Sequence, residues 1–432
     1  MSSGSTIKSV TAMEVFSDRG HPGIQAEVVT EDGSHGAAIV TAGLSVGKHE
    51  VKFVYDGGKR WGGLGVQRAV RSVKEVIGPA IVGMDATCQR MIDQVIIDLD
   101  GTSDKSKLGG NATASVSAAV LKAGAASLGL PLYKHIGGIN ACVLPVPCAG
   151  AFGGSGRYGG GPAGNNTGDK PSHSFVCYGF NTFSDAAYAG WEVAREFRKI
   201  LRKRFKVGSE TSGYFGIAPG MVSHDRELWE AMADAIEKAG YSGKVGIQID
   251  VAGGTYYDEK REVFTGLFSK GDKTMDELFD IYREMVKKYP IVILEDPLGE
   301  EDYEGHAKLT RELGIEIVGD DLFTTNPARL QQGIAVGGAN CMLLKVNQVG
   351  TITEAFDAVA MAYRAGYGVM PCMSRGEGVA LADYVVGLGT GHTREGVGGV
   401  LGNRFLEIEA ELGKAARFLG KSGLKVCWEK RG

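Results

Sequence analysis

No stretch of this 432-residue chain is apolar for long enough to span a bilayer, which argues against a membrane protein. Its first residues, MSSGSTIKSV, lack the apolar core of a signal peptide, so a cytoplasmic location is expected. A long basic run is also missing. With a formal charge of -4, that argues against nucleic acid as the main partner and for a small substrate. The cysteines are few and odd in number: Cys88, Cys142, Cys148, Cys177, Cys341, Cys372 and Cys427. None of them pairs at zinc-site spacing, and no disulfide framework emerges, as in a reducing compartment.

What is present is enough apolar material for a large core, 43% of residues against 23% charged, and a length that suits two domains. The runs VTAMEVFS, IQAEVVTEDG and SHGAAIV alternate and end in turn residues, predicting an antiparallel meander. Helical periodicity follows over Gln67 to Ile77 and in the alanine-rich stretch Ala112 to Leu128. An α+β domain ending near Gly138 is expected. From VLPVPCAG onward, short apolar strands alternate with helical stretches, predicting a parallel βα barrel over residues 139–432, with a doubly wound open sheet as the structural alternative. LTRELG, AFDAVAMAYRAG and ADYVVGLG read as covering helices that stop at glycine. The glycine-rich segment near 149–169, AFGGSGRYGGGPAGNNTGD, is a candidate lid.

Four charged side chains close four of the apolar runs: Asp250 in GKVGIQID, Glu295 in PIVILED, Asp320 in IEIVGD and Lys345 in NCMLLK. If the runs are consecutive parallel strands, their carboxyl ends share one rim, where barrels place their chemistry. Acids and lysines also end strands simply because the chain re-enters water. Recurrence at four matched positions favours a functional cluster, since uncompensated carboxylates repel. Three hard oxygen ligands suit Mg²⁺, and a cation beside Lys345 would lower its proton affinity enough for it to act as a base.

These residues resemble the enolase family over almost the whole chain. The likeness runs through SDRGHPGIQAEV, LGGNATASVSAAVLKAGA, ILEDP, IVGDDLFTTNP, LLKVNQVGTITEA and GNRFLEIEAELG. It implies an enolase amino-terminal domain followed by an enolase-type barrel, and a homodimer. It further implies that Asp250, Glu295 and Asp320 hold the catalytic Mg²⁺, that Lys345 abstracts the proton, and that Ser45 in AGLSVGKHE is the mobile-loop serine that joins a second Mg²⁺.

Other positions depart from the family. Tyr214, in GYFGIAP, stands where the resemblance places a general-acid glutamate. HSFV replaces Gln-Glu-Phe, so the other catalytic glutamate becomes Ser174, with Ser172 and His173 as alternatives. CMSRGE puts Met373 in place of a histidine and moves the arginine to Arg375, beside Ser374. Gly156 and Arg157 take the place of a loop histidine, and Arg394 replaces a substrate-binding lysine. A phenol titrates near ~10 against ~4.3 for glutamate, so Tyr214 is a poor proton donor for expelling hydroxide. Arg157, Arg375 and Arg394 offer planar forks for phosphate, phosphonate or carboxylate, and Lys48 adds charge beside Ser45.

The expectation is therefore a specialised relative that makes or transfers an enolpyruvyl unit, with Tyr214 and His173 as candidate donors. Among such relatives it looks most like the carboxyphosphonoenolpyruvate synthases of phosphinothricin-type antibiotic biosynthesis, whose partner substrate is a nucleotide-activated phosphonoformate. The alternatives are ordinary dehydration of 2-phosphoglycerate and a noncatalytic enolase-like binding protein.

Overall fold

The structure, a computed structural model, describes residues 3–17, 20–43, 46–154, 170–205, 215–217, 220–373 and 375–431. Strands β1 (Ile7–Phe16), β2 (Pro22–Thr30) and β3 (His35–Val40) pair antiparallel in that order, as the alternation predicts. Ile24, Ala26 and Val28 lie on one face of β2 and are fully buried. Helix Gly110–Ser127 covers that face and is buried on nearly every side, which explains its alanine-rich composition. The fit is close at Gly36, where an added Cβ would stand 2.1 Å from the Ala119 carbonyl oxygen. The stretch from Gln67 to Ile77 is helical as expected, but it widens to a π-helical turn over Ser72–Ile77.

The second unit is a barrel of eight strands: β4 (Val146–Gly153), β5 (Ser172–Cys177), β6 (Val245–Asp250), β7 (Ile291–Glu295), β8 (Glu316–Gly319), β9 (Cys341–Leu344), β10 (Gly368–Pro371) and β11 (His392–Gly396). Their order around the wall is β10-β9-β8-β7-β6-β5-β4-β11, and a single bridge between Val369 and Gly391 closes it. Three of the covering helices, Tyr303–Leu313, Ile352–Arg364 and Ala380–Leu388, stop as the sequence predicts, at or next to Gly314, Gly366 and Gly389, each with positive φ.

One strand departs from the expected parallel wall. β5 runs antiparallel to both β4 and β6, with Ser172 opposite Asp250. Its amino end therefore lies at the rim where the neighbouring parallel strands finish. The opposite, amino-terminal end of the barrel is closed by the pair Val143–Leu144 and Arg417–Phe418 and by a second apolar cluster that includes Tyr178 and Leu424, with Trp428 packed on it. Among the described residues, no single helix is long and apolar enough to cross a membrane.

Candidate active site

The β6–β9 segment of the barrel brings the four predicted side chains together. Asp250 and Glu295 are the last residues of adjacent strands and stand in register; Asp320 and Lys345 follow β8 and β9 directly. All four are buried, with Asp250 and Glu295 each 2% exposed. Carboxylates this dry require compensation, and each has it.

Lys345 Nζ donates to Asp320 Oδ2 at 2.5 Å, and Gln348 Nε2 donates to Asp320 Oδ1 at 2.7 Å. Arg394 spans the other two acids: Nε donates to Glu295 at 2.9 Å and Nη2 to Asp250 at 3.0 Å. The same guanidinium donates to Ser172 Oγ at 2.8 Å and to Ser174 Oγ at 3.4 Å. Lys170, just before β5, places its ammonium on the Asp250 carboxylate. Three acids thus face three cations, Lys170, Lys345 and Arg394, and their formal charges sum to zero.

The Lys345 proton affinity differs from expectation in this arrangement. Burial works to lower it, but the neighbouring Asp320 carboxylate raises it, and the net direction is upward. Burial likewise pushes Asp320 up, yet Lys345 pulls it below the usual carboxylate range. The ion pair holds the lysine charged, so it becomes a base only when something else neutralises Asp320.

His173 is not among these groups. Alternation along β5 turns Ser172 and Ser174 toward Arg394, while His173 faces outward, stacked on Phe152 with ring centroids 4.0 Å apart and accepting from Trp229 Nε1 at 3.0 Å. Among the described residues, these contacts place it on the face of β5 away from the carboxylates that its predicted donor role would serve. Arg375, expected as an anion fork, grips Glu50 with both terminal nitrogens, Nη2 lying 2.5 Å from Oε1, and both side chains are 2% exposed. Lys48 is exposed and 3.4 Å from Glu300, on the wall of a cavity of about 610 Å³ that Asp296 and Asp321 also line. Ser45, Tyr214, Arg157 and Ser374, with most of the predicted lid, lie outside the described residues.

Sequence reasoning missed Lys170, Gln248 and Asp296. Gln248 stands two residues before Asp250, hence on the same strand face, and donates to Glu295 at 3.1 Å. Asp296 accepts from the amides of Asp320 and Asp321 at 3.0 and 2.8 Å, which fixes the turn that presents Asp320. Its neighbour Glu295 drew attention as the strand-ending acid, although the pair was visible in ILEDP.

Two family models match the chain: the enolase amino-terminal domain over residues 7–136 and the enolase carboxy-terminal TIM barrel domain over residues 141–427. The chain belongs to the enolase family. Among its relatives, an enolase of Methanopyrus kandleri is 44% identical over 424 residues, covering 95% of this chain and 97% of its own length. Enolases of Thermococcus gammatolerans and Methanocaldococcus jannaschii are 43% and 39% identical, each over 96% of this chain and 97% of their own length. Enolase-family enzymes use Mg²⁺, and Asp250, Glu295 and Asp320 offer that ion hard carboxylate oxygens at the ends of three neighbouring strands. Asp320 also lies in a compact carboxylate group with Asp296 and Asp321, whose nearest oxygens are within 4.8 Å of one another.

Proposed function

We propose that this enolase-family protein is a Mg²⁺-dependent enzyme that makes or transfers an enolpyruvyl unit on a substrate other than 2-phosphoglycerate, with carboxyphosphonoenolpyruvate synthesis as the specific reaction. What supports this reading is Arg394, which stands where the resemblance places a substrate-binding lysine and whose fork joins Glu295, Asp250, Ser172 and Ser174. At the general-acid position the resemblance places Tyr214, and a phenol is a weak acid for assisting departing hydroxide. Transfer of a phosphonoformyl group makes no such demand. The enol oxygen bonds to phosphorus, the bond from phosphorus to the activating nucleotide breaks, and a nucleoside monophosphate leaves.

Asp250, Glu295 and Asp320 would hold the ion. Bound there, Mg²⁺ would draw off the Asp320 charge that keeps Lys345 protonated and stabilise negative charge on the substrate carboxylate. Lys345 takes the enol hydroxyl proton as that oxygen attacks phosphorus, and Arg394 receives an anionic group. The same residues suit a small phosphorylated or phosphonate acid as substrate. A homodimer, as the family resemblance implies, is part of this proposal.

The comparisons favour the other reading, ordinary enolase activity, over the synthase: relatives named enolase are 39–44% identical over nearly the whole chain. Phosphorus NMR separates the two. Purified protein with Mg²⁺ is given 2-phosphoglycerate, phosphoenolpyruvate or nucleotide-activated phosphonoformate with a three-carbon enol acid as acceptor. A new phosphonate ester only in the last mixture supports the synthase; efficient conversion of 2-phosphoglycerate overturns it in favour of dehydration. With either substrate, Lys345→Ala is expected to lower turnover by ~10²–10⁴-fold, and unchanged turnover would reject it as the base.

A further inference from the structure

The opposite end of the barrel carries a second convergence of ligating side chains. Glu316, Cys341 and His392 are the first residues of β8, β9 and β11, and each is 0% exposed. One atom of each, an oxygen, a sulfur and a nitrogen, lies within 4.8 Å of the other two. His392 Nε2 is 2.7 Å from Glu316 Oε1 and 3.9 Å from Cys341 Sγ. Glu316 Oε2 is satisfied by the Lys425 amide at 2.8 Å. His392 Nδ1, in contrast, is buried without a hydrogen-bond partner, and Glu316 Oε1 meets the ring through the 2.7 Å ion-pair contact. A carboxylate oxygen, an imidazole and a thiol converging inside a dry barrel floor, with the second ring nitrogen unsatisfied, offer a ready donor set for a cation that accepts lone pairs.

We propose that Glu316, Cys341 and His392 form a binding site for a borderline divalent transition metal of the Zn²⁺ class, separate from the Mg²⁺ carboxylates at the mouth. The mixed O, S, N donor set disfavours Mg²⁺ or Ca²⁺ and matches zinc. Charge closes as well. A dication with one carboxylate, one thiolate and one neutral imidazole is neutral, the only state a fully buried site accepts cheaply. Metal binding displaces the thiol proton, as thiolate ligation requires. Bonds of ~2.0 Å to N and O and ~2.3 Å to S require ligand separations of roughly 3.3–3.6 Å. The present 2.7 and 3.9 Å straddle that range, so side-chain adjustment of about half an ångström suffices. The covering segment around Leu424 to Trp428 contains only short turns, a suitable place for local opening to admit an ion.

The test uses full-length protein grown with added zinc, then treated with EDTA, followed by metal analysis and by cobalt substitution. One equivalent of EDTA-resistant metal is expected, together with a near-ultraviolet thiolate-to-cobalt charge-transfer band. Cys341→Ser should lose the band and Glu316→Gln should lose tight retention, while Asp250→Asn, at the other end of the barrel, keeps both. If Cys341→Ser fails to fold, Glu316→Gln and the wild-type spectrum still decide. Absence of the band in wild-type protein after refolding with Co²⁺, or its survival in Cys341→Ser, would overturn the proposal.

Discussion

Gln248 has no charge, yet its amide steers the charged groups around it. It donates to Glu295 from the strand that ends in Asp250, and so fixes the carboxylate that Arg394 also holds. Groups that orient a metal ligand are worth ~10–100-fold in metal affinity. Gln248→Leu is expected to weaken Mg²⁺ binding by that factor in a calorimetric titration, with the fold retained; unchanged affinity would mean Glu295 needs no such support. Asp250, Glu295, Asp320 and Lys345 were legible because each interrupts an apolar run, a signal confined to a few neighbouring residues. The reach of Arg394 to two acids and two serines was not, since those residues are separated by 99 to 222 positions. Glu316, Cys341 and His392 escaped notice for a related reason. They begin strands rather than end them, and nothing in the local sequence says that three strand starts meet.

Helix Met275–Lys288, which covers the barrel next to β7, begins with a capping box in which Thr274 accepts from the Glu277 amide and Glu277 reaches back to the Thr274 amide. Thr274→Ala removes half of it and should cost about 0.5–2 kcal/mol, read as a lower urea midpoint. Such caps, the glycine stops and the alternating strands are local devices, which is why much of the architecture could be read from the chain. The direction of β5 could not. Ser172–Cys177 has the composition of any buried strand, and whether it runs up or down depends on the connection before it, not on its own residues. That direction decides the site: it brings the amino end of the strand, with Lys170, to the mouth, and turns Ser174 inward in place of His173.

At the scale of the whole molecule, the first unit and the barrel are joined by a buried ion pair. Glu50, from the segment after β3, is gripped by Arg375, from the loop after β10, and Gln348 donates to Glu50 at 3.4 Å. Removing one partner of such a pair strands the other's charge, at about 3–5 kcal/mol, whereas apolar replacement of both can be nearly neutral. Glu50→Gln should therefore lower the thermal midpoint more than the double change Glu50→Leu with Arg375→Met, and the reverse order would show that the pair is not what joins the units. The balance of three acids and three cations at the mouth has a thermodynamic consequence. Adding a dication makes the site more positive, so an anion bound nearby and the ion must each raise the other's affinity by one shared factor, of order 5–150 for couplings of about 1–3 kcal/mol. Lys170→Met, which deletes one of the cations, should tighten Mg²⁺ binding in the absence of substrate and shrink that factor. Titrating Mg²⁺ with and without phosphoenolpyruvate measures both, and an unaltered factor would show that Lys170 does not couple the two ligands. Ion and substrate are in this sense a single cooperative ligand, and neither affinity has a fixed value without the other's concentration.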